Sequence, residues 1–209
     1  MLSGPSGVGK GTVVARAMSQ RDAAGASLRR SVSVTTRPRR PDEQEERDYF
    51  FRSQGEFKRM VAAGELLEWA TYLDHSYGTP RKWVDQQLQA GYDVVLEIEV
   101  QGAMQVREGR PEAVLIYMLP PSWRALRQRL KRRRSESPEL QQRRIEVAHQ
   151  EVRLIEVAHQ EIGHLPKYDY VIVNDRVARA ARTLLAILEA ERSSIARFDL
   201  TSLLEENSG

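Results

Sequence analysis

Residues 4–12 read Gly4-Pro5-Ser6-Gly7-Val8-Gly9-Lys10-Gly11-Thr12, and no other stretch narrows the possible folds as much. The pattern is G-x-x-x-x-G-K, followed by a helix-compatible run from Val13 to Ser19. Glycines let a backbone wrap an anion so that several N–H groups point inward at phosphate oxygens. The helix behind the loop adds the positive end of its dipole. Lys10 supplies a mobile cation for the β and γ phosphates. A chance Gly/Ser-rich turn is the competing explanation, and the lysine together with the following helix signal weighs against it. Two details depart from the pattern. It asks for Ser or Thr directly after the lysine, where a hydroxyl holds Mg²⁺, and here Gly11 stands there with Thr12 one place later. It also asks for a buried strand in front, and only Met1-Leu2-Ser3 precede the loop. Either the strand is a stub or the true start lies upstream. A stub implies a weakly anchored loop and a less stable fold than a full strand would give.

The remaining composition fits one domain around such a loop. The chain has 209 residues, 41% of them hydrophobic, enough for a single α/β domain with a real core. It contains no run of eighteen apolar residues and no signal-peptide pattern, so a cytoplasmic location without membrane attachment is expected. Zero cysteines exclude disulfides, thiolate metal sites and a cysteine nucleophile. Thirty-two basic against 29 acidic residues leave a formal charge of +3. Any role for charge must therefore come from where it clusters.

After a first helix over residues 12–20, the β-branched alternation Ser31-Val32-Ser33-Val34-Thr35-Thr36 predicts a short strand. Pro38 and Pro41 force an extended exit, which places Arg37, Arg39 and Arg40 beyond a strand end, where open α/β sheets hold ligands. The acidic stretch over residues 42–48 reads as a solvated loop. A helix over 57–64 ends at Gly64, and a second over 81–90 ends at Gly91. The next strand begins at Tyr92 and carries Glu97 and Glu99, which a period of two points the same way. Paired acids can serve glycoside hydrolysis, but nothing else here supports a sugar site. Further strands are expected over 113–119 and 171–173, and an amphipathic helix over 176–192. The tail from Asp199 is expected to be loose. Residues 123–134 are strongly basic, which alone would suit a nucleic-acid arm. Leu126 and Leu130 keep an apolar i, i+4 seam, and no aromatic residues interleave, so nucleic-acid binding ranks below a packed helix. The segment Ile145-Glu146-Val147-Ala148-His149-Gln150-Glu151 recurs unchanged over residues 155–161. Ten extra helical residues add about 15 Å and leave the copies about 80° out of phase, so the helix projects or bends. His149 and His159 read as duplicated surface histidines.

Several of these stretches resemble guanylate kinases. Ser33-Val34-Thr35-Thr36-Arg37, then Arg40, then Asp48-Tyr49-Phe50-Phe51 resemble the start of that family's GMP-binding region. Leu67-Glu68-Trp69-Ala70 followed by Tyr77-Gly78-Thr79 is similar to its guanine pocket. Leu96-Glu97-Ile98-Glu99-Val100-Gln101-Gly102 is similar to the family's L-[DE]-I-D-x-Q-G, with Glu99 where the family has aspartate. The lid pattern R-L-x-x-R-G-x-[DET]-[ST] matches at Arg129, Leu130, Arg133, Glu136 and Ser137, with Arg134 in the glycine's place, and Arg144 matches a further lid arginine. Asp169-Tyr170-Val171-Ile172-Val173-Asn174-Asp175 is nearly the family's own run.

The resemblance implies an α/β fold: a P-loop NTPase-like parallel sheet flanked by helices, with a GMP-binding insertion and a mobile helical lid. The core would comprise residues 1–32, 89–125 and 165–209, the GMP-binding region 33–88, and the lid with its extended helix 126–164. It implies ATP held by Gly4, Pro5, Ser6, Gly7, Val8, Gly9, Lys10, Gly11, Thr12, Arg133 and Asn174, the last beside adenine. A helix cap is an equally open role for Asn174. GMP would be held by Ser33, Arg37, Arg40, Tyr49, Glu68, Tyr77, Thr79 and Glu99. Arginine forks suit a phosphomonoester. A carboxylate at Glu68 suits the paired N–H donors of guanine, which adenine lacks there. Lys10, Arg37, Arg40, Arg129, Arg133 and Arg144 would do the catalytic work. The implied reaction is ATP-dependent phosphorylation of GMP, and of dGMP, with Mg²⁺ accompanying ATP, in purine nucleotide metabolism. The alternatives are a guanylate-kinase-like binding module without catalysis and a P-loop kinase acting on a phosphorylated ribose. A monomer and a homodimer are both compatible with the sequence.

Overall fold

The structure, a computed structural model, describes residues 1–22, 28–72, 74–132, 156 and 163–197. The first half contains β1 (Leu2–Ser3), α1 (Lys10–Asp22), β2 (Leu28–Arg30), β3 (Ser33–Thr35), β4 (Tyr49–Phe51), α2 (Gln54–Ala62), β5 (Leu66–Tyr72) and β6 (His75–Pro80). Then come α3 (Arg81–Gln89), β7 (Asp93–Val95), α4 (Val100–Gly109), β8 (Ile116–Leu119), α5 (Trp123–Arg132), β9 (Tyr170–Val173) and α6 (Val177–Arg192). Helix α4 and strands β2, β4, β5 and β6 have no counterpart among the elements expected above.

The main sheet is parallel. Strand β1 pairs with β8 (Leu2 opposite Ile116), β8 with β9, and β2 with β7. The two-residue β1 sits in the middle. On its other side, Leu2 N–H donates to the Leu96 carbonyl (2.8 Å), and Ile98 N–H donates to the Leu2 carbonyl (3.3 Å). The spatial order is therefore β2-β7-β1-β8-β9. Short as it is, β1 is bonded on both edges, and both of its residues are fully buried.

Alternation along the strands divides the core in two. Leu2, Val95, Ile116, Met118 and Ile172 face α1 and α6, meeting Val13, Val14, Ala17, Leu184 and Ile187. Leu96, Ile98 and Leu115 face the other way, toward Val84 of α3 and Ala103 and Val106 of α4. Sequence neighbours such as Val95 and Leu96 thus feed opposite layers, as a period of two requires.

A second sheet, ordered β4-β3-β6-β5, carries the residues between β2 and α3. Strands β3 and β4 are parallel, and β6 runs antiparallel to both β3 and β5. Its own small core is Val34, Phe57 and Leu66, flanked by Phe50, Met60 and Val61. Helix α2 is held there by defined ends. Ser53 and Glu56 form a capping box. At the other end, Gly64 N–H bonds the Val61 carbonyl and Glu65 N–H bonds the Met60 carbonyl. Among the described residues, no helix is long and apolar enough to cross a membrane. Apart from Glu156, the duplicated segment with His149 and His159 lies outside the described residues, as do the lid residues Arg133, Arg134, Glu136, Ser137 and Arg144 and the tail from residue 198.

Candidate active site

The phosphate loop leaves the carboxyl end of β1 and enters α1 at Lys10. Two of its glycines are dictated by close approach in a left-handed backbone. Gly4 (φ 140°) passes so near β8 that a Cβ would collide with the Met118 carbonyl oxygen, and at Gly9 (φ 98°) a Cβ would lie 2.7 Å from Asn174 Nδ2. Helix α5 packs on the loop from outside: Leu126 and Leu130 are buried, and Leu130 closes over Gly7. The loop cavity has a volume of about 570 Å³ and includes Ser6, Lys10, Gly11, Thr12, Arg129 and Asn174 in its wall. Lys10 Nζ donates to the Gly4 carbonyl at 2.5 Å, so the lysine is folded back onto the loop it serves.

Two residues of the cavity wall are also bonded to the loop. Asn174 is buried, and its Nδ2 donates to the Val8 carbonyl (2.8 Å), tying the end of β9 to the loop. It caps no helix: the N-cap of α6 is Arg176, which makes no side-chain cap bond. Arg129 donates from Nη1 to the Val8 carbonyl (3.0 Å) and from Nη2 to the Asn174 carbonyl (2.9 Å). It is a strut of the cavity wall as well as a cation beside it.

A second cavity, of about 250 Å³, opens in the β4-β3-β6-β5 sheet and includes Ser33, Tyr49, Glu68, Tyr77 and Glu99. Thr79, fully buried, donates from Oγ1 to Glu68 Oε1 at 2.6 Å. The register of β5 on β6 shifts between Leu66 and Glu68. Such irregularities re-aim side chains, and here the strand carries a carboxylate that is only 7% exposed. Burial pushes the Glu68 carboxyl pKa up; the Thr79 bond opposes that, and the Glu99 charge adds to it. A buried acceptor pair of this kind favours a ligand that brings donors to replace lost water.

At the edge of this cavity Tyr49 and Tyr77 meet edge to face, with ring centroids 6.2 Å apart. Arg37 lies over the Tyr49 ring, 5.4 Å from its centroid. Arg37 Nη2 is paired with Glu43 Oε1 at 2.6 Å, and the other Glu43 oxygen accepts from Arg40 N–H at 2.9 Å. The Arg37 and Arg40 bonds hold the Glu43 carboxyl below its ordinary range. The acidic stretch is thus more than a solvated loop: one of its carboxylates sits on the arginine expected to grip phosphate. Arg40 itself is exposed and lines neither cavity.

Glu97 joins the two halves. It lines the loop cavity, the second cavity and a smaller one of about 200 Å³ between them. Arg30 pairs with it at 2.9 Å. Burial raises its pKa, while Arg30 and Lys10 lower it. Glu97 also explains Gly11, since a Cβ there would stand 3.3 Å from Glu97 Oε2, and a longer side chain would press on the carboxylate. Glu99, the N-cap residue of α4, lines only the second cavity and makes no side-chain cap bond. Sequence reasoning passed over Glu43, Arg30 and the bridging place of Glu97. The signal for Glu97 was its position just past a buried strand.

A parallel sheet in this order, a phosphate loop at the head of its first helix and a second polar cavity on a separate sheet define a P-loop nucleotide-kinase architecture. Known proteins narrow this. The guanylate kinase family model matches residues 1–191. The chain is 42% identical over 197 residues to the guanylate kinase of Caldanaerobacter subterraneus subsp. tengcongensis, covering 94% of this chain and 89% of the relative. It is 44% identical over 197 residues to that of Symbiobacterium thermophilum, covering 94% and 87%. The crystal structure of guanylate kinase from Anaplasma phagocytophilum matches with a TM-score of 0.69 at 33% identity, over 98% of this chain and 92% of that one. The chain belongs to the guanylate kinase family.

Proposed function

We infer that the protein transfers the γ-phosphoryl group of ATP to GMP, giving ADP and GDP, as a cytoplasmic enzyme of purine nucleotide metabolism. The observation that carries the guanine assignment is buried Glu68, bonded by Thr79, in the wall of a small cavity that shares Glu97 with the phosphate-loop cavity. The nucleophile is a GMP phosphate oxygen, already anionic near neutral pH, so no general base is needed. A bond forms from that oxygen to the γ-phosphorus as the bond to the β–γ bridging oxygen breaks. Catalysis then consists of alignment and charge neutralisation.

Each half has its own task. Lys10 turns from the Gly4 carbonyl to the β and γ phosphates, and the loop amides hold the chain of phosphates. Ser33, Arg37, Arg40, Tyr49 and Tyr77 hold the GMP phosphate, which must share or displace Glu43. Glu68, Thr79 and Glu99 recognise the base. Arg133 and Arg144, outside the described residues, keep the closing role that their family pattern implies.

The site fits Mg²⁺ as a companion of ATP. Among the described residues no cluster of three or more His, Cys, Asp or Glu could hold a metal by itself, and Gly11 offers no hydroxyl. Glu97 is a hard oxygen donor beside Lys10 in the loop cavity. One carboxylate plus substrate phosphates is a normal Mg²⁺ environment. The ion supplies neutralisation of phosphate charge when bound.

Steady-state turnover with ATP and GMP, dGMP, AMP, CMP or UMP tests this assignment. Turnover of GMP and dGMP above the other three is expected. Activity on AMP without GMP overturns the guanine assignment. GMP binding with no turnover and no affinity for an ATP analogue identifies a binding module instead.

A further inference from the structure

Gly102 is a helical residue with no backbone reason to be glycine. It lies in the first turn of α4, and its φ is not in the left-handed region. Alanine is the better helix former at such a position. What glycine provides is space. A Cβ at Gly102 would stand 2.7 Å from Glu68 Oε2 and 3.3 Å from its carboxyl carbon. By contrast Gly109, at the end of the same helix, would place its Cβ in open space. Glu68 Oε1 is already fixed by Thr79, so the carboxylate cannot swing away from Gly102 without losing that bond.

One turn on, Gln105 lies on the same face of α4. Its Oε1 accepts from Trp69 N–H and its Nε2 donates to the Trp69 carbonyl, both at 3.0 Å. The amide thus takes the place of a neighbouring strand for the residue directly after Glu68. Strand β5 pairs with β6 on its other side. Helix α4 therefore fixes Glu68 twice, through a gap at its carboxylate and through a clamp on the next peptide unit.

We propose that Gly102 and Gln105 are positioning residues for base specificity, holding the Glu68 carboxylate where it accepts the two adjacent N–H donors of a guanine. This rests on the GMP-kinase reading above. Gly102 lines the second cavity, and neither residue lines the phosphate-loop cavity, so their effect falls on the acceptor side. In Gly102→Ala the new methyl displaces the carboxylate. In Gln105→Leu the carboxylate keeps Thr79 but its strand loses the clamp.

The test is initial-rate kinetics of wild type, Gly102→Ala and Gln105→Leu with GMP and with IMP, which keeps the ring N–H and lacks the 2-amino group. Thermal melts of the empty proteins accompany it. For Gly102→Ala we expect KM for GMP to rise about 30-fold, the loss typical of charge-assisted hydrogen bonds. KM for ATP should stay within about twofold, and the preference for GMP over IMP should fall about tenfold. Gln105→Leu should raise KM for GMP about 3- to 10-fold in the same pattern. A purely structural role moves the melt and leaves the GMP/IMP ratio unchanged, which overturns the proposal. So does an unchanged KM for GMP in Gly102→Ala. Should Gly102→Ala not fold, an unchanged KM and ratio in Gln105→Leu overturns it. Wild type that turns over no GMP overturns the functional reading and this one together. Wild-type turnover with insensitive variants overturns this one alone.

Discussion

The two halves of the site are built from different materials. The ATP side is backbone: one continuous loop, shaped where Gly4 and Gly9 meet β8 and Asn174, and braced by Asn174 and Arg129 through the Val8 carbonyl. The proposed GMP side is side chain: Ser33, Tyr49, Glu68, Tyr77 and Glu99 come from five separate elements or their ends. Backbone amides recognise negative charge without regard to what carries it. A buried carboxylate fixed by Thr79 recognises a particular pattern of donors. On this reading, affinity for phosphate and choice of base are separable, and that separability can be broken by experiment.

The sharpest break is Lys10→Ala. Removing a cation aimed at developing phosphoryl charge should lower kcat about 100- to 1,000-fold, for every acceptor alike. KM for GMP should hardly move. Turnover measured at saturating GMP and ATP checks this. Full turnover in the variant would end the phosphate-loop mechanism.

The counterpart on the other side is Glu68→Gln. Loss of a charge-assisted acceptor pair should raise KM for GMP about 30-fold and leave KM for ATP unchanged. The empty protein should not be weakened. A carboxylate whose pKa is raised by burial is a liability to the folded state when ionised, so the neutral amide should melt at the same temperature or higher. An equal rise in both KM values would show that the halves are not separable.

A pH profile sharpens the same contrast without mutation. As pH falls through the raised pKa of Glu68, the carboxylate takes up a proton and loses its acceptor pair. The kcat/KM for GMP should then fall about tenfold per pH unit on the acid limb, with KM for ATP flat. Stability runs the opposite way for this group. Folded Glu68 binds its proton more tightly than unfolded Glu68, so its contribution favours the fold as pH falls through the window between the unfolded and folded values, and disfavours it above. Glu68→Gln should remove this limb from the GMP profile.

The same contrast explains what the sequence could reveal. The loop is contiguous, so its motif carried its chemistry into the fold, and the strands beginning at Tyr92 and over residues 113–119 were expected from their apolar runs. The stub at Leu2–Ser3 looked like a weakness because sequence shows length and hides pairing. In the sheet it is bonded on both sides and buried. The second half was legible only as a family pattern. Glu43 reaches Arg37 across a loop, and Gly102 meets Glu68 from a helix 34 residues on in the chain. No local period predicts either contact. Gly11 looked like a flaw in the motif until Glu97 was found beside it.

The smallest effect belongs to the loop between β3 and β4. Glu46 has φ 64°, a left-handed backbone for a residue that is neither glycine nor asparagine. Such a conformation costs about 1–2 kcal/mol. Glycine relieves it, while adding freedom to the unfolded chain worth about 0.4–1 kcal/mol. Glu46→Gly should therefore stabilise by about 0.5–1 kcal/mol, which is about 1–4 °C in Tm for a chain of this size. The Glu46 N–H bond to the Tyr49 carbonyl, at 3.0 Å, survives the change. The loop also carries Glu43, the partner of Arg37. If its strain only reflects local geometry, the gain in Tm comes with unchanged KM for GMP. If the strained turn sets how Glu43 meets Arg37, the gain comes with a shifted KM for GMP and an unchanged KM for ATP. Either result locates on the acceptor side alone whatever the turn contributes, because no residue of this loop lines the ATP cavity.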